Sequence, residues 1–291
     1  MMKEKAIVFD FDGPLVGSGQ DKAIHILFSS FVACWETSFR VFFHPEKLEI
    51  DLERMLKGLV KYPGAPRFQQ LSAIVSCIVR DIDEAVKDPT ELGIDQNLQK
   101  EYEKLKQIYN NFYSSLNDAA AKLYWKPLEG VKDVIEKLAK EYDLYVASGI
   151  VQEILEKDFE HHGFEKRFFS GIFGSNKQGD IDKANILKKI KCRGYKDVLF
   201  IGDSRKDFEY AQEAGVKFYR VKTGHDYKNF LREIKNGLPT QIYVCEFTDR
   251  EINRIRSKVL ALMKLYASGK RPSFKQVTTF VNTTDFKELH P

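Results

Sequence analysis

Ala6-Ile7-Val8-Phe9-Asp10-Phe11-Asp12-Gly13 is the stretch that decides how this chain is read. Four apolar residues in a row, stopped by an acidic turn with a glycine, describe a strand buried on both faces, since a strand with one wet face alternates apolar with polar. Three later segments have the same form: Leu144-Tyr145-Val146-Ala147 before Ser148-Gly149, Val198-Leu199-Phe200-Ile201 before Gly202-Asp203, and Lys217 to Val221 before Thr223-Gly224. Between them lie helical stripes: Val131, Val134, Ile135 and Leu138; Ile154, Leu155 and Phe159; Phe208, Ala211 and Ala214. Strands alternating with helices of this length imply parallel pairing through right-handed crossovers. The expected fold is α/β, a doubly wound parallel sheet.

One gap breaks that alternation, because more than 120 residues separate the first strand from the next. Ile24, Leu27, Phe28, Phe31, Val32 and Trp35 recur at helical spacing, as do Leu71, Ile74, Val75, Ile78 and Val79, and a third helix runs from Tyr102 to Leu116. Amphipathic helices bury one another, so residues 18–124 are expected to form a helical domain inserted into a core made of 1–17 and 125–236. Residues 237–291 read as a small C-terminal appendage. In it, Gln241 to Phe247 suggests a strand and Asp249 a cap for a helix striped with Ile252, Ile255, Val259, Leu262 and Tyr266. Lys270-Arg271-Pro272-Ser273 breaks that helix, and the residues beyond Ser273 read as loosely organised.

Composition narrows the function. Among 291 residues, 43% hydrophobic and 30% charged, there is enough apolar material for real cores, which excludes a disordered tail or a disulfide-stapled peptide. Lys and Arg number 46 against 42 Asp and Glu, and a net charge of +4 is too even for a dedicated nucleic-acid binder. From Lys235 onward ten basic residues face five acidic ones, yet Arg250, Arg254, Arg256 and Lys258 share a helix with an apolar stripe. That pattern is a solvated face opposite a docked one, either on the core, on a second copy or on a partner protein, rather than a nucleic-acid contact. Cys34, Cys77, Cys192 and Cys245 show no metal or redox spacing, which makes a reducing cytoplasm the expected compartment. No stretch reads as a signal peptide, and Ala23 to Phe43 is interrupted by His25, Glu36 and Arg40, so no membrane association is expected.

Ligands of an open parallel sheet sit outside the carboxyl ends of its strands. There this sequence places Asp10 and Asp12, then Ser148, then Asp203 with Asp207 close behind. Carboxylates gathered in one place repel unless a cation joins them, and hard oxygen donors point to Mg2+.

In order and context, Asp10-Phe11-Asp12-Gly13, Ser148-Gly149, a downstream lysine and Gly202-Asp203-Ser204-Arg205-Lys206-Asp207 resemble the four motifs of the haloacid dehalogenase (HAD) superfamily. The resemblance covers roughly residues 5–17 and 125–225, and the insertion matches the family's helical cap. It implies a Rossmann-like core and a phosphatase acting on a small phosphorylated metabolite. Asp10 would be the nucleophile, forming an aspartyl-phosphate, and Asp12 the general acid and base. Mg2+ would be held by Asp10, the Asp12 carbonyl and Asp203, with Asp207 either behind those ligands or a partner of the metal through water. Ser148 and the Gly149 amide would bind phosphoryl oxygens. For the lysine, Lys183 stands at the start of a helix striped with Ala184, Ile186, Leu187 and Ile190, whereas Lys177 lies in a glycine-containing loop; Lys183 is the expected group.

The sequence departs from the family at Pro14, where Thr or Val is usual, and proline offers neither hydroxyl nor amide. A phosphomutase or phosphotransferase would use the same residues, and a non-catalytic scaffold on the same fold is the reading from another class. Dehalogenation itself is disfavoured, since it needs neither a metal nor an acid at Asp12. A phospho-receiver module is disfavoured by the acceptor on the first strand and the large insertion. Arg67, after Tyr62-Pro63-Gly64-Ala65-Pro66, is expected to be structural, with contact to a second anionic group of the substrate as its functional alternative.

Overall fold

The computed structural model of the chain describes residues 3–17, 19–61, 67–80, 96–175, 183–242 and 247–283. The chain divides into two compact units, Met1–Gly19 with Trp125–Glu246, and Gln20–Tyr124 with Phe247–Pro291.

The first unit is built on β1 (Lys5–Phe9), β4 (Asp143–Val151), β5 (Phe169–Ser175), β6 (Asp197–Gly202) and β7 (Lys217–Arg220), in the spatial order β5-β4-β1-β6-β7. All pairings are parallel. The run that opens the chain therefore becomes the central strand, with Ala6, Ile7, Val8 and Phe9 completely buried. Successive side chains of a strand point to opposite faces. Ala6 and Val8 join Leu187, Ile190, Ala211 and Ala214 of α7 (Lys183–Lys191) and α8 (Arg205–Ala214). Phe9, on the other face, meets the ring of Phe169. α5 (Val131–Leu138), α6 (Gln152–His161) and α9 (Gly224–Glu233) complete the layers. A two-stranded antiparallel ribbon, β2 (Val16–Gly17) with β3 (Lys126–Pro127), pairs the end of the first segment with the start of the second.

β5 has no counterpart in the sequence patterns, because Phe169-Ser170-Gly171-Ile172-Phe173-Gly174-Ser175 dilutes its apolar residues with two glycines. It lies at the sheet edge, where such dilution is tolerated.

The second unit contains α1 (Gly19–Trp35), α2 (Leu48–Lys61), α3 (Arg67–Arg80), α4 (Gln96–Leu123), α10 (Asp249–Ala267) and α11 (Phe274–Asn282). They share one hydrophobic core that includes Phe28, Phe31, Leu52, Met55, Ile74, Leu105 and Tyr109. Here the three-part organisation read from sequence is corrected at its C-terminal end. Ile255, Val259, Leu262, Met263 and Tyr266 of α10 and Val277, Phe280 and Val281 of α11 are buried in that same core, so residues from Phe247 on belong to the helical unit. The physical reason is the stripe itself: an apolar helix face has to be buried, and here the apolar faces of the inserted helices bury it. α11 also replaces the looseness expected after Ser273. Its Phe274 ring packs 5.1 Å from that of Phe112, and Thr279 hydrogen-bonds the Tyr124 hydroxyl at 2.7 Å. The cap of α10 is Thr248 rather than Asp249, in a reciprocal exchange with Glu251. Of the strand expected at Gln241 to Phe247, four residues lie outside the described ones, and Gln241 and Ile242 are not in a strand. No described helix is long and apolar enough to cross a membrane.

Candidate active site

β1 ends at Phe9, which is level with Val146 on β4 and Ile201 on β6. Because β4 and β5 extend the sheet to one side of β1 and β6 and β7 to the other, the strand order reverses there, and the opening lies outside the carboxyl end of β1. Asp10 is the next residue. Its amide donates to the Ile201 carbonyl at 2.8 Å, prolonging the ladder, and the residue is 6% exposed. Phe11 is buried against Phe159, Phe164 and His162. The chain then turns sharply, closed by hydrogen bonds from Leu15 and Val16 to the Phe11 carbonyl and a bridge between Asp12 and Val16.

Gly13 makes the turn possible. Its φ is +94°, a region costly for residues with a side chain, and a Cβ there would lie 2.3 Å from Cγ of Asp203. The turn after β1 thus rests directly on the acid after β6. Gly202 plays a similar part, since a Cβ on it would lie 2.5 Å from that of Asp207.

Lys183, the first residue of α7, donates from Nζ to Asp10 Oδ2 and to Asp207 Oδ1, both at 2.8 Å. The remaining oxygen of Asp10 accepts from the Phe11 amide at 2.8 Å, so both its oxygens are held. Asp207 is the third residue of α8, and its other oxygen accepts from the Ser204 hydroxyl at 2.7 Å and the Ser204 amide at 3.2 Å. One carboxylate therefore starts a helix and aims a lysine.

Oxygens of Asp10, Asp203 and Asp207 lie within 4.8 Å of one another. Burial pushes the Asp10 carboxyl well above the usual carboxylate range; Lys183 opposes the push, and the charges of Asp207, Asp12 and Asp203 add to it. Burial works against a charged Lys183 too, but the carboxylates of Asp10 and Asp207 outweigh it and hold the ammonium above its ordinary range. Lys183 thus offsets only part of the local negative charge. A divalent cation suits this donor set: the ligands are hard oxygens, and two further positive charges would oppose the upward push on Asp10 and favour its ionised form. Asp207 lies in the same cluster, with both of its oxygens already engaged by Lys183 and Ser204.

Ser148 and Gly149 lie within β4 rather than beyond its end. Four steps on β4, from Ala147 to Val151, match only two on β5, from Phe173 to Ser175, so residues 148–150 bulge from the ladder. Ser148 is buried and its Oγ accepts from the Ile150 amide at 3.2 Å, while Gly149 faces open space. Lys177, with Asp180 and Asp182 as expected caps of α7, lies outside the described residues. Arg67 belongs to the helical unit, where it donates to Asn110 and its guanidinium stands 4.8 Å over the Tyr113 ring.

Two neighbours of the site escaped the sequence reading. Ser204 was legible as a cap, three residues before an acid, but its hold on Asp207 matters only through Lys183. His162 carries no sequence signal. Burial pushes its imidazole down to about 4, with His161 and Lys126 adding to the effect and Asp12 opposing it.

A family model described as haloacid dehalogenase-like hydrolase matches residues 67–221, more than half of the chain. The chain belongs to that family of hydrolases. The match begins after Asp10 and Asp12, which the sheet joins to it through β1. Among solved structures, a haloacid dehalogenase-like family hydrolase from Streptococcus pneumoniae is 19% identical, with 78% of this chain and 90% of that one covered and a TM-score of 0.46. A predicted phosphatase from Clostridium acetobutylicum is 16% identical over 89% of this chain and 99% of that one, with a TM-score of 0.48. A predicted phosphoglycolate phosphatase from Haemophilus somnus is 20% identical over 78% and 92%, with a TM-score of 0.46. No curated protein matches the sequence. The family assignment rests on the family model, not on these likenesses.

Proposed function

We propose that the chain is a Mg2+-dependent phosphatase of small phosphorylated metabolites that works through an aspartyl-phosphate on Asp10. The observation that carries this reading is the placement of Asp10: buried at the end of the central strand, held at both oxygens, and clustered with Asp203 and Asp207 beside Lys183. A carboxylate fixed in this way is set up to attack rather than to be solvated.

Asp10 attacks phosphorus as the bond from phosphorus to the leaving oxygen breaks. Asp12 gives that oxygen a proton and, as a carboxylate, later takes one from the water that attacks the phosphoryl group on Asp10. Ser148 and the Gly149 amide hold phosphoryl oxygens at the bulge, and Lys183 offsets charge on the group in transfer. Asp10, the Asp12 carbonyl and Asp203 would hold Mg2+, which supplies positive charge between the anionic nucleophile and the anionic phosphate.

Phosphate release from p-nitrophenyl phosphate, with Mg2+ and after EDTA, tests the reading. Turnover that EDTA abolishes and Mg2+ restores is expected. Equal turnover in metal-free buffer, or none in either, overturns it.

A further inference from the structure

We propose that Tyr227 is a positioning residue for Asp12, acting through the carbonyl of Pro14. This rests on the phosphatase reading above.

The turn from Phe11 to Val16 is closed largely by its own backbone: Gly13 donates to the Val16 carbonyl at 2.8 Å, and Leu15 and Val16 donate to the Phe11 carbonyl at 3.1 and 3.0 Å. Pro14 has no N–H to contribute. Its carbonyl accepts from the hydroxyl of Tyr227 at 2.7 Å, a buried bond between groups 213 residues apart in sequence. Tyr227 lies on α9 and is 1% exposed. Burial, with Asp226 adding, pushes its hydroxyl well above the usual tyrosine range, so it stays a donor at any working pH. The bond therefore fixes the peptide plane after Pro14 from outside the turn, two residues from Asp12.

That residue has to place a proton on the leaving oxygen, and transfer falls steeply when donor and acceptor drift from hydrogen-bonding distance. The ring of Tyr227 fills space whether or not it carries a hydroxyl. Neighbouring Phe230 already docks the helix, its ring 5.0 Å from that of Tyr219. What the hydroxyl adds is the hold on Pro14.

The test compares kcat/KM for phenyl phosphate and p-nitrophenyl phosphate, since the first leaving group needs its proton far more than the second. Tyr227→Phe is expected to lower the value about tenfold for phenyl phosphate and less than threefold for p-nitrophenyl phosphate. Phe230→Leu loosens α9 without touching the hydroxyl, and should affect both esters equally. Amide exchange at Leu15 and Val16 should quicken in Tyr227→Phe and not in Phe230→Leu. If Tyr227→Phe does not fold, 4-fluorophenylalanine at position 227, which fills the ring and the hydroxyl's place but cannot donate, gives the same two-ester comparison. Equal losses on both esters, unchanged exchange at Leu15 and Val16, or the same ester discrimination in Phe230→Leu each overturn the inference. A wild-type protein that turns over neither ester overturns instead the phosphatase reading, and the exchange experiment then still decides whether the hydroxyl holds the turn.

Discussion

At the start of α8, Ser204 Oγ accepts from the Asp207 amide while Asp207 Oδ2 accepts from the Ser204 amide and hydroxyl. At the start of α10, Thr248 and Glu251 make the same exchange, at 3.2, 2.7 and 2.9 Å. The local rule is one rule: a hydroxyl at the cap and an acid three residues on satisfy amides the helix leaves open. The surroundings differ. Asp207 is 1% exposed, packed on Gly202 at the end of β6, and spends its second oxygen on Lys183. Thr248 stands exposed on the helical unit, whose core is almost wholly aliphatic and aromatic. A cap becomes part of a site only where the sheet brings another strand end against it.

The largest blow to that contrast falls on the group the first cap reaches through Lys183. Asp10→Asn keeps the size of the side chain and an acceptor for the Phe11 amide but has no nucleophile, so phosphatase activity should drop to background while the melting curve changes little. Turnover close to wild type would remove Asp10 from the chemistry. Lys183→Ala comes next. Losing a charge aimed at the transferring group typically costs ~2.7–4 kcal/mol, or roughly 10²–10³-fold in kcat. Lys177→Ala should cost less than tenfold, and the reverse order of the two defects would transfer the role to Lys177.

Acid bears on both units, since burial pushes His162 and His25 alike down to about 4, and His25 reports the helical one. Burial pushes His25, in the helical unit, from 6.5 down to about 4, against its hydrogen bond to Asn117. The folded state then binds its proton less readily than the unfolded chain, so stability is complete above about pH 6.5 and is lost as pH falls toward 4. At about 1.4 kcal/mol for each pH unit, the loss approaches ~3 kcal/mol. His25→Gln should flatten the pH dependence of urea unfolding between pH 7 and 4, read by amide exchange in α1 and α4. A slope as steep as wild type would put the acid sensitivity elsewhere.

Legibility in the sequence obeys the same physics. β1 could be read because burial on both faces leaves an unbroken apolar run, and the acids after β1 and β6 because strand ends put them on one side of a sheet. β5 could not, since glycines dilute it. α11 could not either: Val277, Thr278, Thr279 and Val281 are β-branched and favour helix poorly, and packing against α4 and α10 supplies what propensity lacks. Its start was nevertheless written in Ser273 and Gln276, the same signature that marks Thr248 rather than Asp249 as the cap of α10. The partnership of Asp207 with Lys183 had no local mark, because it joins the starts of two helices that only the sheet brings together.

The smallest effect is the most direct test of the opening contrast, because it deletes the same atom from both caps. Ser204→Ala and Thr248→Ala each leave an amide without its side-chain acceptor, and each should cost ~1 kcal/mol of stability. Their activities should part. Without Ser204 Oγ, Asp207 Oδ2 retains only the Ser204 amide, so the carboxylate can swing and Lys183 loses a fixed partner while keeping Asp10. A lysine tethered at one point still carries its charge, so the loss in kcat should be several-fold, well short of the roughly 10²–10³-fold of Lys183→Ala. Thr248→Ala should leave kcat and KM unchanged, its cost confined to the melt of the helical unit. Equal kcat in both variants, with equal loss of stability, would mean that Asp10 alone aims Lys183 and that the cap of α8 is only a cap.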